Sequence, residues 1–268
     1  MWLTVDHTTR YTYDRPVRSV VQSHRLTPSA YDGQQMIDWQ VTVTGGLQGS
    51  TFRDGAGDRI QGWTVQGPVS EITVQVKGTI ETVDLNGILR GHRETVPPFA
   101  YLRMTDPTRV DAALADLALS AGAGDALTRA HAMSALVADN IAYSPGTTDA
   151  HTTAAQALAQ GQGVCQDHAH ALIAMARSTG MPARYVSGYL HASADGSLHE
   201  AAHAWAEVWA DGLGWVGFDP ANRCCPDDRY IRLGSGMDAQ DAAPIRGISR
   251  GGGQEAMDVT VAVLAAQQ

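Results

Sequence analysis

The chain has 268 residues, of which 44% are hydrophobic and 18% charged, a composition typical of folded globular proteins rather than disordered ones. Its net charge of −9 argues against nucleic acid or an anionic membrane surface as a partner. No stretch approaches the ~20 consecutive apolar residues that a membrane-spanning helix needs. The first residues also lack a secretory signal pattern, so we expect a cytoplasmic protein.

The first 85 residues show the alternation of apolar and polar side chains that is typical of strands with one buried face. The alternation is clear in three stretches, 10–14, 37–44 and 72–77. Turn signals rich in Gly and Asp separate these stretches. Short strands separated in this way predict an N-terminal β-sandwich domain that, with its connector, spans residues 1–105.

After the connector, the spacing of hydrophobic residues changes to that of helices. Helices are predicted in four stretches: 110–121, 127–141, 153–160 and 165–178. Strands are predicted again afterwards, in the stretches 185–190, 204–208, 215–219 and near 257–263. Helices followed by strands indicate a second domain of the α+β class over residues 106–268.

A reactive cysteine is predicted where the fourth of these helices begins. The glycine-containing loop 161–164 leads directly to Cys165, which lies in the first turn of that helix. N–H groups at a helix start have no intrahelical partner and carry partial positive charge, so they favour a thiolate and can hold an oxyanion. A buried structural cysteine is the alternative, but the polar neighbours Gln166 and Asp167 weaken it. The remaining cysteines are the adjacent pair Cys224–Cys225, so no disulfide framework is expected.

His203 and Asp219 lie in two predicted strands that Asp211-Gly212 joins into a hairpin. In a hairpin centred on Gly212, Asp219 lies diagonal to His203 on one face, with Cβ atoms about 7 Å apart. A turn centred on Asp211 would place the two directly opposite each other, and a one-residue slip would put them on opposite faces. A histidine held by a carboxylate can take the proton from a thiol and then protonate a leaving amine.

Three ordered motifs resemble the core of the transglutaminase-like superfamily: Gly-x-Gly-x-Cys, His-Ala-Trp-x-Glu-Val and Gly-Trp-Val-x-Phe-Asp-Pro. More narrowly, the chain is similar to bacterial transglutaminase-like proteins described as candidate cysteine proteases, in which a β domain precedes the core. Further matches, such as 181–190, extend this resemblance over nearly the whole chain. The resemblance implies a papain-like α+β core and a Cys-His-Asp triad formed by Cys165, His203 and Asp219.

Four further residues are candidates for the substrate pocket: Gln166, His168, Tyr143 and Trp205. The alternatives are helix capping for Gln166 and packing for the other three. His168 stands where the family usually has an aromatic residue, and Cys224–Cys225 is an unusual insertion near the site. This thiol pair is either incidental or a redox brake on Cys165. The scattered histidines lack the repeated spacing of a zinc site, so no metal and no cofactor is expected.

These features predict an amide hydrolase or acyltransferase, such as a cysteine protease or amidase, in which Cys165 attacks a carbonyl and forms a thioester. The Cys165 N–H and one further donor would hold the oxyanion. Water resolves the thioester in a hydrolase, whereas an amine resolves it in a protein-glutamine transglutaminase. Hydrolysis is favoured because the resemblance points to it and water is always available. A peptide or protein substrate is expected. A non-catalytic peptide-binding module on the same fold is the competing class.

Overall fold

The computed structural model describes residues 1–191 and 202–265. Its strands form two main antiparallel sheets, and its helices pack together against the second of them. The predicted α+β fold class, with a strand-rich N-terminal region, is confirmed. None of the helices in these two ranges is both long and apolar enough to cross a membrane.

The first sheet is built around two long strands that pair with each other, β1 (Trp2–His24) and β4 (Arg59–Thr82). Shorter strands flank this pair: β2 (Gln34–Val43) and β3 (Gly46–Arg53) on β4, and β11 (Ile245–Arg250) and β12 (Glu255–Ala265) on β1. Burial alternates along β1 and β4, so one face of the sheet forms the first hydrophobic core. The two central strands are much longer than the alternating stretches predicted. Register shifts near Val17 let β1 continue past a break in its pattern.

The C-terminal strands return to this first sheet. The strand predicted near 257–263 exists as β12, but it pairs with β1 and not with the strands of the second sheet. The alternation predicted this strand but not its partner, because two-residue alternation does not reveal which sheet a strand joins. The predicted domain boundary between residues 105 and 106 stays a prediction.

The second sheet has the order β10–β7–β8–β9. Its strands are β7 (Ala183–Leu190), β8 (Ala202–Ala210), β9 (Gly214–Phe218) and β10 (Tyr230–Gly236). A helix, α4 (Cys165–Ser178), packs across β7 and β8 and is buried from Asp167 to Arg177. Three helices pack against α4: α1 (Ala112–Ser120), α2 (Ala126–Asn140) and α3 (Ala154–Gln160). All four helices lie where the hydrophobic spacing predicted them. β10 was not predicted, because all of its residues are buried and it shows no alternation.

Two short strands and one short helix position the loop that leads into α4. The two-residue strands β5 (Ala142–Tyr143) and β6 (Gln162–Gly163) pair in parallel. The intervening α3 has a capping box at Thr153 and ends at Gly161, whose φ of 65° is a left-handed conformation that glycine adopts readily. A 3-10 helix (Pro98–Leu102) lies in the connector between the two sheets.

A buried ion network connects the two sheets. Arg232 on β10 contacts Glu207 on β8 (Nε–Oε1, 2.8 Å) and Asp58 from the loop before β4 (Nη1–Oδ1, 3.0 Å). Glu207 also accepts from Nε of Arg184 at 2.6 Å. Burial would raise the pKa of Glu207, but Arg232 and Arg184 outweigh it and lower that pKa to about 2. The carboxylate therefore stays ionised in the interior.

Candidate active site

Cys165 is the first residue of α4, and the loop before it is held by a buried carboxylate. Asp167 lies two residues further along the helix and accepts the backbone N–H of Val164 at 2.8 Å. The Thr148 hydroxyl donates to the same carboxylate oxygen at 2.7 Å. These bonds fix the chain entering the helix, while the N–H of Cys165 lies in the first turn, where no intrahelical carbonyl can bond it.

The hairpin of β8 and β9 has the register centred on Gly212. Ala206 pairs with Phe218 and Glu207 with Gly217, so Asp219 follows the last paired residue and lies diagonal to His203. This was the first of the two permitted registers, and it is confirmed. Nε2 of His203 lies 2.6 Å from Oδ2 of Asp219, and the two side chains are only 6% and 1% exposed.

The other side of the His203 ring meets the cysteine. Cys165 is close enough to the His203 side chain to contribute to its pKa. Because Nε2 faces Asp219, Nδ1 is the nitrogen left for the sulfur. Burial alone would lower the pKa of His203, but hydrogen bonds to Asp219 and Cys165, with their charges, raise it from 6.5 to about 10. The His203 ring is therefore protonated at neutral pH, with the Asp219 carboxylate as its partner. The structure thus brings the three predicted residues together in the order Cys, His, Asp.

Two side chains that sequence reasoning missed also bond the buried Asp219. The Asn222 amide donates from Nδ2 to Oδ2 at 2.7 Å, and the Tyr230 hydroxyl donates to the same oxygen at 2.8 Å. Burial would raise the pKa of Asp219, but the hydrogen bond from His203 and its charge, then Asn222 and Tyr230, lower it. Asn222 could have been found, because an amide three residues after an Asp-Pro step is typical of a turn that bonds its own start. Tyr230 had no such signal.

Two of the pocket candidates are buried beside the triad. Trp205 is 3% exposed and lies behind the catalytic imidazole, with its ring stacked 6.4 Å from that of His203. His168 is 1% exposed, and its ring nitrogens contact the carbonyl oxygens of Val164 at 2.9 Å and Ile141 at 2.8 Å. These contacts give both residues a structural role in holding the site.

The other two candidates are more accessible. Gln166 is half-buried in the first turn of α4, next to the cysteine. Tyr143 is 39% exposed in β5, with its ring 6.3 Å from that of His168. The substrate-binding role predicted for all four residues stays a prediction.

Comparisons with known proteins identify related sequences over most of the chain. The model of the bacterial transglutaminase-like N-terminal region matches residues 3–81, and that of the transglutaminase-like superfamily core matches residues 115–220, which include all three triad positions. The uncharacterized protein ML0607 of Mycobacterium leprae is 32% identical over an alignment of 282 positions that covers 98% of this chain and 99% of that protein.

Two further comparisons cover an enzyme and a solved structure. A protein-glutamine gamma-glutamyltransferase of Pseudomonas aeruginosa is 35% identical over 75 residues, which are 24% of this chain and 11% of that enzyme. A crystal structure of a candidate cysteine protease from Cytophaga hutchinsonii matches with a TM-score of 0.74 and 22% identity. That match covers 100% of this chain and 92% of the other, and it shows a shared fold.

Proposed function

The chain belongs to the transglutaminase-like superfamily, whose members are cysteine-dependent enzymes, and on this basis we propose that it is an amide hydrolase acting on a peptide or protein. Cys165 is its nucleophile, His203 its acid and base, and Asp219 orients the histidine. One observation carries the proposal: His203 is hydrogen-bonded to Asp219 at 2.6 Å and lies close enough to Cys165, at a helix start, for the cysteine to raise its pKa.

The reaction begins with the thiolate of Cys165 and the protonated imidazole of His203. The sulfur attacks the carbonyl carbon, a C–S bond forms, and the Cys165 N–H stabilises the oxyanion. His203 then gives its proton to the nitrogen of the breaking C–N bond, and an amine or ammonia leaves. In the second half, His203 takes a proton from water, the resulting hydroxide attacks the thioester, and the acid product and the thiolate are released.

Acyl transfer is the second candidate, because part of the chain is similar to a protein-glutamine gamma-glutamyltransferase. The steps up to the thioester are the same, and the two activities differ only in whether water or an amine resolves it. We favour hydrolysis because water needs no second binding site. A peptide library incubated with the protein, with and without added primary amine, separates the two by the mass of the products, −NH₃ + H₂O for deamidation against −NH₃ + amine for transfer.

Alkylation tests the nucleophile without knowledge of the substrate. The protein is treated with iodoacetamide at pH 6, and the Cys165 peptide is followed by mass spectrometry separately from the peptide carrying Cys224 and Cys225. An activated thiolate labels at Cys165 much faster than at the other two thiols, where burial raises the pKa, to about 11 at Cys225. The Cys165→Ala variant should lose the fast phase. Equally slow labelling of all three cysteines would contradict the proposal and favour a non-catalytic peptide-binding module.

A further inference from the structure

The hydrogen bonds around Asp219 are concentrated on one oxygen. Oδ2 is bonded by His203 at 2.6 Å, by Asn222 at 2.7 Å and by Tyr230 at 2.8 Å. Among the residues that the structure describes, the other carboxylate oxygen accepts only the backbone N–H of Asn222, at 3.3 Å. The position of Oδ2, and with it the angle of the imidazole, therefore depends on the donors that surround it.

The hydrogen bonds around Asp219 continue through Tyr230 to a second thiol, that of Cys224. Sγ of Cys224 lies 3.3 Å from the Tyr230 hydroxyl oxygen. An ionised carboxylate only accepts, so the single hydroxyl proton of Tyr230 is used on Asp219. The Cys224 thiol must then be the donor to Tyr230, in a series that runs from Cys224 through Tyr230 to Asp219. Burial raises the pKa of Cys224, which keeps it as the protonated thiol that this direction requires.

Two backbone hydrogen bonds also hold Cys224 beside Asp219. The N–H of Asp219 donates to the Cys224 carbonyl at 2.8 Å, and the N–H of Cys224 donates back to the Asp219 carbonyl at 3.2 Å. Cys224 packs with the small cluster that contains Trp205 and Tyr230, whereas its neighbour Cys225 packs against the main core of the helices. The two thiols therefore have different surroundings, and only Cys224 contacts the residues that hold the triad.

We propose that Tyr230 is a positioning residue for the reaction of Cys165: its hydroxyl holds Oδ2 of Asp219 against the His203 ring, and the Cys224 thiol supports that hydroxyl by donating to it. This inference rests on the proposed function. It adds to the triad a tyrosine and a thiol that do not touch the substrate and that act through Asp219.

A consequence for the pH profile follows from the charges near Asp219. Three titratable groups face Asp219: His203 from β8, Tyr230 from β10 and Cys224 from the loop after β9. Asp227 and Arg229, which lie further along the same loop, form an ion pair with each other at 2.7 Å. Without the Tyr230 hydroxyl the buried carboxylate loses one donor, so it takes up a proton at higher pH. The His203 ring is then held less firmly, and we expect the alkylation of Cys165 to slow first on the acid side of the profile.

The experiment measures the rate at which iodoacetamide alkylates Cys165 between pH 4 and 8. For Tyr230→Phe we expect the acid limb of the profile to move to higher pH by about one unit, which is a roughly tenfold slower reaction on that limb. The matched control is Tyr189→Phe. Tyr189 is similarly buried on the neighbouring strand, but its hydroxyl bonds His7 at 2.7 Å. The control should lose a similar amount of thermal stability with no shift in the profile.

A second pair of variants keeps the test independent of the tyrosine. Cys224→Ala removes the donor to Tyr230 and should shift the acid limb in the same direction by a smaller amount, whereas Cys225→Ala should leave it unchanged. If the Tyr230→Phe and Tyr189→Phe profiles coincide while wild-type Cys165 reacts fast, the positioning role is refuted and the proposed function stands. If wild-type Cys165 is as slow as an ordinary thiol, both are refuted.

Discussion

Replacing Asp219 by Asn tests how much of the cysteine's activation depends on the carboxylate. The 2.6 Å bond from His203 to Asp219 is buried and charged, and it is the first of the interactions that raise the pKa of His203 to about 10. Hydrogen bonds to charged groups contribute about 1.5–3 kcal/mol. Since 1.36 kcal/mol corresponds to a factor of ten, Asp219→Asn should lower the thiolate population of Cys165 by about 10- to 150-fold at pH 6.

The assay is the rate of Cys165 alkylation from pH 5 to 9.5. At pH 6, Asp219→Asn should react about 10- to 150-fold more slowly than the wild type. The two rates should converge above pH ~9, because a cysteine without a partner ionises near pH 8.5 on its own. Asp238→Asn is the matched control, since it removes another buried carboxylate whose charge acts on His170 instead. The control should retain the wild-type profile.

Coincident profiles for Asp219→Asn and the wild type would refute this reasoning, provided that Cys165→Ala abolishes the labelling. The thiolate would then owe its stability to the helix start and to His203 alone. A loss of rate by the same factor at every pH would also refute this reasoning. It would indicate a misfolded site, because the effect of an altered ion pair should disappear once the pH is high enough to ionise Cys165 without a partner.

Three further predictions concern stability. Lowering the pH from 6.5 to about 4 should lower the free energy of unfolding by up to ~1.4 kcal/mol per pH unit for each buried neutral histidine. The reason is that these histidines bind a proton in the unfolded chain but stay neutral in the folded one. Urea titrations at several pH values measure the effect. Burial holds the pKa of three histidines at about 4: His7, His24 and His170. Glu207→Gln should destabilise the fold by about 3–5 kcal/mol in urea, because it removes the carboxylate that the buried Arg184 and Arg232 share, whereas the exposed Glu71→Gln should change it little. Gly188→Ala should cost at least about 1–3 kcal/mol and slow Cys165 alkylation, because its Cβ would lie 2.2 Å from the backbone oxygen of Ile231 and 2.6 Å from the Trp205 ring; Gly252→Ala, which meets nothing within 4 Å, is its control.

Much of the site could be predicted because its parts depend on local rules. The start of α4 at Cys165 follows from helical spacing and the glycines before it, and the structure has the helix at the predicted residues. The relation of His203 to Asp219 depends on a short hairpin, in which the turn residues determine the register. In both cases the residues that decide the geometry lie within about ten positions of the residues that they place.

The bond from Tyr230 to Asp219 could not be predicted in the same way, because it depends on the order of the strands. β9 and β10 lie at opposite edges of the sheet, so the chain from Asp219 to Tyr230 must pass the ends of β7 and β8. Only that path brings the Tyr230 hydroxyl to the carboxylate. The same limit applies to β12, whose alternation is local but whose partner β1 lies at the other end of the chain.

The N-terminal region supports the catalytic sheet through charge as well as through packing. Arg232 lies two residues after Tyr230 on β10, and Glu207 lies four residues after His203 on β8, so their ion pair joins the two strands that carry these site residues. The same guanidinium reaches Asp58, which the N-terminal region supplies and which also accepts the N–H of Ser235 at 2.6 Å. A buried arginine with one of its two carboxylates removed is costly, by several kcal/mol. Through Asp58, the N-terminal region therefore helps to hold the strands that carry His203 and Tyr230 in place.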